Sequence, residues 1–417
     1  MFSKTRRTAK PMNVRKSERG AVLTHAVVAM IGLLAMSTFA VDYGVLWTAR
    51  RQAQNSADAG ALAGAISLGF VDADDKELAR ESALGMARQN RVWGIVPDVL
   101  PGDITFPLCP PGSPAEGEDA CIRVNVFRNQ REAGSPLPTF FGNLVGVTDQ
   151  GVRATATAQV LFGASTNCQL PFAIPDKWVE MNPKPSPFSP DDEFLRYDPK
   201  TGALLDPADY YRAPSGDDPG TGYTRESTEF GGADHGLQVT LKFSDPKDAT
   251  APGWYQVVSL NPEDPPGMDS VREDILGCDD RVIGPGDLLT VKDGNMRVPV
   301  ARAIDELVSR DSGASWDPNL YGPGKGGISG GCMSTGACTV SPRLRPVPVY
   351  NPDAYDARRR ESGRLDLEIV KVIGFFIDRA TSDHEIIGYI TSYPSEPFGG
   401  EDVNKAAAFV ISIALVR

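Results

Sequence analysis

Gly327-Ile328-Ser329-Gly330-Gly331 has the G-x-S-x-G spacing of a serine nucleophile, and Asp378 and His384 follow it in hydrolase order. Such a serine works from a sharp turn between an apolar strand and a helix, which lifts its hydroxyl towards the substrate. Here the flanks, Gly322-Pro323-Gly324-Lys325-Gly326 and Cys332-Met333-Ser334-Thr335-Gly336, predict a flexible loop on both sides. The same stretch holds Gly322-x-Gly324-x-x-Gly327, a dinucleotide-binding spacing, again with no strand predicted to enter and no helix to leave. His384-Glu385 is not followed by the second His that a zinc-protease helix requires. Asp191-Asp192-Glu193, Asp217-Asp218 and Asp279-Asp280 offer oxygens for Ca²⁺ without the EF-hand order or its Gly, and read as solvated acidic loops. The residues therefore predict no catalytic centre, no metal site and no cofactor.

The six cysteines carry a different chemistry. Cys109 and Cys121 bracket a loop rich in Pro, Gly and acids, Cys332 and Cys338 flank a Ser/Thr/Gly turn, and Cys168 and Cys278 remain. Spacing suggests these three pairs as disulfides of an oxidising compartment, although sequence alone leaves all 15 connectivities open. No C-x₂₋₄-C pair stands near a second Cys or His pair, which argues against zinc.

The element that sets the compartment is N-terminal. Ala21 to Val41 carries no charged side chain apart from titratable His25, which lies near one end and reads as an interfacial residue. About 20 apolar residues at roughly 1.5 Å each cross a hydrocarbon core of about 30 Å. Before Gly20 stand Lys4, Arg6, Arg7, Lys10, Arg15, Lys16 and Arg19 against Glu18, so the tail carries +6 while the whole chain carries −12. The basic tail predicts a cytoplasmic N-terminus, with the acidic remainder across the membrane. That acidity argues against a nucleic-acid partner. The rival is a signal peptide cleaved after Thr38-Phe39-Ala40, but the apolar run exceeds the usual length of such a peptide and the helical pattern continues beyond it.

Ala49, Ala53, Ala57, Ala61 and Ala65 follow at strict i, i+4 spacing, a face of small side chains that allows close helix approach. Asp42 is expected to face water or the Arg50/Arg51 pair.

Arg19-Gly20-Ala21-Val22, the apolar span, Val41-Asp42-x-Gly44, and the block from Arg51 through Asn55-Ser56-Ala57-Asp58-Ala59-Gly60 to Ala65 resemble the TadE/TadG-like family. These are Tad (tight-adherence, Flp-type) pilus assembly proteins, and the similarity is close over residues 19–65. The resemblance implies a membrane-anchored role in pilus assembly, with other Tad/Flp pilus or pseudopilin-like membrane proteins as partners and no small-molecule substrate. The small-residue face predicts a helix-packing interface at Asp42, Gly44, Ala49, Ala53, Asn55, Ala57, Asp58, Ala61 and Gly64, its partner a similar membrane helix or, for positions 57–65, the chain's own residues 78–91. Two features depart from the pattern. Pilin-like precursors carry an acid five residues after the cleaved Gly, where this chain has His25. The metal-site run D-x-S-x-S of many TadG-like proteins is here Asp311-Ser312-Gly313-Ala314-Ser315, with Gly in place of the first hydroxyl residue.

Downstream, residues 74–91 predict a second helix folding back on the first through Ala79, Ala83 and Ala87. Cys121–Arg128 and Val152–Leu161 alternate as strands, and Leu137–Val145 reads as a short helix with Phe140, Phe141 and Leu144 on one side. Strand patterns recur at Leu237–Phe243, Trp254–Leu260, Leu288–Lys292, Val347–Tyr350, Leu367–Ile377, Glu385–Tyr393 and Ala408–Val416, with one clear helix at Pro299–Ser309. The expected fold class is α+β. It comprises a basic cytoplasmic tail (1–19), a transmembrane helix (20–47), a pilin-like α+β module (48–163) and a β-rich, loop-rich periplasmic domain (164–417).

Three functions follow in order of support. The first is a non-catalytic, membrane-anchored pilus or secretion component of the bacterial inner membrane. The second is an adhesin-like surface protein released after Ala40, and the third an exported hydrolase using Ser329.

Overall fold

In the computed structural model the described residues are 18–70, 76–131, 135–181, 192–198, 200–245, 248–261, 268–292, 294–322, 324–362, 365–395 and 404–416. The basic tail before residue 18 and residues 182–191, which hold Pro183, Pro185, Pro187, Pro190 and Asp191, fall outside them.

Helix α1 runs unbroken from Glu18 to Phe70, 53 residues or about 80 Å. No proline interrupts it and alanine is its commonest residue, so nothing local stops it at a membrane boundary. It is long and apolar enough to cross a membrane, and its most apolar window is uncovered by the rest of the chain. Helix α2 spans Lys76–Gln89.

The chain divides into two compact units, neither contiguous in sequence: residues 1–60, 84–103 and 124–156 form one, and 61–83, 104–123 and 157–417 the other. In the first unit, α1 is tied to the chain that returns beside it. Ser56 Oγ donates to Ala87 O at 2.8 Å, Trp93 N–H to Gln52 Oε1 at 2.7 Å, and Gln54 Nε2 to Thr155 O at 3.1 Å.

In the second unit α1 and α2 approach closely at Gly64, where a Cβ would stand 3.1 Å from both Ala79 O and Ala83 Cβ. Ser67 and Ser82 share a hydrogen bond of 2.7 Å there. The C-terminal strand Val410–Val416 pairs antiparallel with Val152–Gly163, from Val410 opposite Gly163 to Val416 opposite Thr157. A five-stranded sheet results, in the order Ile104–Thr105, Cys121–Arg128, Val152–Gly163, Val410–Val416, Tyr393–Pro394.

The larger part of this unit is a β-barrel. Its ring runs Leu344–Tyr350, Phe172–Pro175, Trp254–Val257, Gln238–Phe243, Ile386–Thr391 and Asp366–Ala380, and closes because the last strand pairs with the first. The 15-residue strand Asp366–Ala380 makes closure possible, since its successive segments pair with Leu288–Thr290, Leu344–Tyr350 and Ile386–Thr391. Alternate residues Phe172/Ile174, Tyr255/Val257, Val347/Val349 and Ile373/Phe375/Ile377 supply the main apolar cluster, together with Val271, Ile275, Val300, Ile304 and Leu307. The last five come from helices α3 (Met268–Leu276) and α4 (Arg297–Ser309).

Mixed α and β structure, an N-terminal apolar helix and a β-rich remainder all agree with the sequence. Several elements differ. The helix expected at Leu137–Val145 is a two-residue strand, Leu137–Pro138, followed by a 3₁₀ turn, Gly142–Val145. Gly142 and Gly146 interrupt the apolar spacing, and Gly146 takes the left-handed conformation that ends the turn. The C-terminal region holds helices α3, Gly331–Thr335 and Pro352–Ser362 besides α4. Three disulfides join Cys109 to Cys121, Cys168 to Cys278 and Cys332 to Cys338, the pairs that spacing suggested.

Candidate functional site

The residues singled out on α1 fall into three environments. Val45, at 6 % exposure, begins a stripe continued by Ala49, Ala53, Ala57, Ala61 and Ala65, each at 0 %. Gly64 is buried beside it. The chain therefore covers its own small-residue face, and Ala79, Ala83 and Ala87 of α2 are equally closed off. Gly44 and Asn55 are exposed, with open space around the position a Cβ would take on Gly44. Asp58 is half-buried and accepts from Gln54 Nε2 at 2.8 Å, an i, i+4 pair on the helix surface.

Asp42 does something the sequence did not indicate. Its carboxylate accepts backbone N–H bonds from Phe140 at 2.8 Å, Phe141 at 3.2 Å and Gly142 at 2.8 Å, and Gln150 Nε2 donates to its carbonyl at 3.3 Å. The first N–H groups of a helical turn lack partners within it, and a carboxylate there acts as a cap. The cap for the 3₁₀ turn at Gly142 thus comes from about 100 residues earlier. The loop braces itself as well. Thr139 Oγ1 donates to Val147 O at 2.6 Å, Asn143 Nδ2 to Thr139 O at 3.0 Å, and Val147 N–H to Gly142 O at 2.9 Å. Gly142 is required by space, since a Cβ would lie 2.9 Å from Val147 O and 3.0 Å from Thr139 Cβ. Nothing local in sequence links Asp42 to this loop; the Val-Asp-x-Gly motif was the one available signal.

Ser329 also sits differently from expectation. It lies on the strand Gly327–Gly330, paired antiparallel with Ala314–Asp317, and the short helix Gly331–Thr335 follows directly. Two strands that are each too short to show a pattern in sequence stabilise one another, which is why the region read as loop. The Ser329 hydroxyl lies 3.2 Å from Ser315 Oγ and 3.3 Å from Ser315 O. Asp311, first residue of the D-x-S-x-S-like run, is 5 % exposed and accepts from Cys332 N–H at 2.8 Å and from the Ser341 hydroxyl at 2.6 Å. Its carboxylate braces the base of the Cys332–Cys338 loop. Among the described residues no three His, Cys, Asp or Glu side chains converge.

One charged cluster escaped the sequence altogether. Asp176, fully buried at the end of the barrel strand Phe172–Pro175, pairs with Lys371 Nζ at 3.0 Å and accepts from the Tyr223 N–H at 2.8 Å and Tyr211 hydroxyl at 3.1 Å. Beside it Lys177 Nζ lies 2.6 Å from Asp234. Burial raises the Asp234 pKa against the opposing pull of Lys177, and burial also holds the Tyr211 and Tyr223 hydroxyls well above the usual phenol range. Gly222 permits the approach, because any Cβ there would run into the Asp176 carboxylate. The cluster is closed to solvent and internally paired, which makes it a strut between the barrel and the chain around residues 209–234.

Residues 20–67 match the family model described as "Putative Flp pilus-assembly TadE/G-like". No curated protein and no solved structure matches the chain. The matched span lies within helix α1, and so includes Asp42, the small-residue stripe and Gly64.

Proposed function

We propose that this chain, with a TadE/G-like segment at residues 20–67, is a membrane-anchored, non-catalytic component of a Tad/Flp-type pilus assembly or secretion system. The observation that carries this reading is the coincidence of that segment with one continuous helix whose N-terminal half the chain leaves bare. Val22 to Phe39 expose their large apolar side chains, as a bilayer span requires. A basic tail favours a cytoplasmic N-terminus, and three disulfides suit a periplasmic body. Residues 48–163 form a pilin-like α+β module in this reading, to which the C-terminal strand adds. Work is done by contact rather than by turnover.

The burial of the alanine stripe directs where a partner helix can dock. From Ala49 onward the small face is already occupied within the chain, so the membrane half, with Gly32 and Gly44 open to approach, is the surface offered to neighbouring pilus-assembly helices.

A photo-crosslinking residue at Gly44, in cells carrying a Tad apparatus, is expected to capture another membrane protein of that apparatus. Capture of lipid alone, with pili assembling normally when this chain is deleted, would overturn the proposal. So would a mature protein whose sequence begins after Ala40.

A further inference from the structure

The loop that Asp42 caps exposes its apolar residues at the level where α1 leaves the bilayer. From Leu137 to Thr148 the sequence reads LPTFFGNLVGVT, twelve residues with no charge. Phe140 is 56 % exposed, Phe141 37 % and Val147 50 %. On α1, Phe39, Val41, Tyr43 and Trp47 are exposed at 73, 45, 56 and 54 %. The Phe39 and Tyr43 rings stack at 5.9 Å, and the Arg51 guanidinium lies 5.0 Å from the Trp47 ring. Val22 to Val41 spans about 30 Å of helix, one hydrocarbon thickness, so Asp42 stands at the outer edge and Tyr43 and Trp47 occupy the aromatic belt just beyond it. Three backbone hydrogen bonds accepted by the Asp42 carboxylate fix the loop at that height.

Backbone pairing makes this loop compatible with an interfacial lipid neighbour. A peptide segment enters the headgroup–acyl boundary at lower cost when its N–H and C=O groups find partners within the protein. Here the N–H groups of Phe140, Phe141 and Gly142 go to Asp42, and Val147 N–H to Gly142 O. The carbonyls of Thr139 and Val147 are taken by Asn143 and Thr139 side chains.

We propose that the 138–147 loop is a second membrane contact, its Phe140, Phe141 and Val147 side chains inserted into the outer interfacial region of the bilayer that α1 crosses. Asp42 is the positioning residue that holds it there. This rests on α1 being a membrane span, and the contact sets the height and orientation of the segment immediately outside the bilayer.

The test uses the full chain in lipid bilayers with single spin-labelled cysteines at Leu33, Phe141 or Val147. The six native cysteines are all paired, so an introduced thiol labels alone. Collision with dissolved oxygen against a water-soluble nickel chelate reports depth. Labels at Phe141 and Val147 are expected to favour oxygen several-fold over an aqueous label, at shallower depth than Leu33, and Asp42→Asn is expected to return the Phe141 label towards the aqueous value. A Leu33 label in lipid with both loop labels in water would sink the loop proposal and leave the anchor standing. A Leu33 label in water would sink the anchor itself. Loop labels shielded from both reagents would show a protein partner, or a second copy of this chain, in place of lipid.

Discussion

Helix α1 and the barrel strand Asp366–Ala380 are both strongly apolar, for opposite reasons. In the strand, every residue from Ile369 to Ile377 is buried, with barrel strands on either side and side chains packed on both faces. In α1, Ile31, Leu33 and Met36 are 60, 66 and 76 % exposed, and no other element covers them. The strand is apolar because protein surrounds it, and it accommodates a charged Lys371 because Asp176 sits 3.0 Å away. The N-terminal half of α1, from Val22 to Phe39, carries no acid or base apart from His25. Beyond Gly44 the helix changes strategy again, replacing large side chains with alanines that admit α2. Composition alone makes these regions look alike; the neighbour distinguishes them.

Substitutions at contrasting positions should separate the three environments. The largest effect is expected at Lys371→Met, which leaves the buried Asp176 carboxylate without its cation and should cost about 3–5 kcal/mol in denaturant unfolding of the barrel. Adding Asp176→Asn should recover part of the loss, and no recovery would argue that Lys371 acts through packing. Ala57→Leu comes next. A larger side chain at a position with no exposed surface should destabilise by about 1–3 kcal/mol, visible as a lower unfolding midpoint of the detergent-solubilised chain. A neutral result would mean that the stripe is loosely covered. Asp42→Asn should leave global stability nearly unchanged while amide exchange at Phe140, Phe141 and Gly142 accelerates, a local effect for hydrogen-exchange mass spectrometry. The smallest effect is expected at Gly44→Leu, within about 0.5 kcal/mol, since open space surrounds that position. A large stability loss there would contradict the contrast between the two halves of α1.

Some of this was legible before any coordinates. Strand Cys121–Arg128 has the bounds its alternation predicts, and Val152–Gly163 extends its predicted range by two residues. Helix α4 begins two residues before the expected Pro299, and α2 lies within the predicted 74–91. The helix Pro352–Ser362 had a signal that was overlooked: Asn351 caps it through Ala354 N–H at 3.0 Å, and Pro352 occupies the first turn. Asp356 and Arg360 pair across one turn of the same helix at 2.7 Å. Its apolar face is too short to stand out. The ribbon of Ala314–Asp317 with Gly327–Gly330 carries no pattern that either strand could show alone.

Periodicity and the run of apolar residues depend on neighbours a few positions apart, so sequence alone was enough to define α1 as a continuous rod and to place the alanines on one of its sides. Closure of the six-stranded ring, the meeting of Asp176 with Lys371 and the capture of the Phe140 turn by Asp42 join residues separated by up to about 200 positions. Such pairings are chosen by which chain segments the packed core brings within hydrogen-bond range, and only the folded chain contains that information. Packing also decided that the alanine side is covered from within, which leaves the exposed N-terminal half of the helix and the loop capped by Asp42 as surfaces still open to a neighbour.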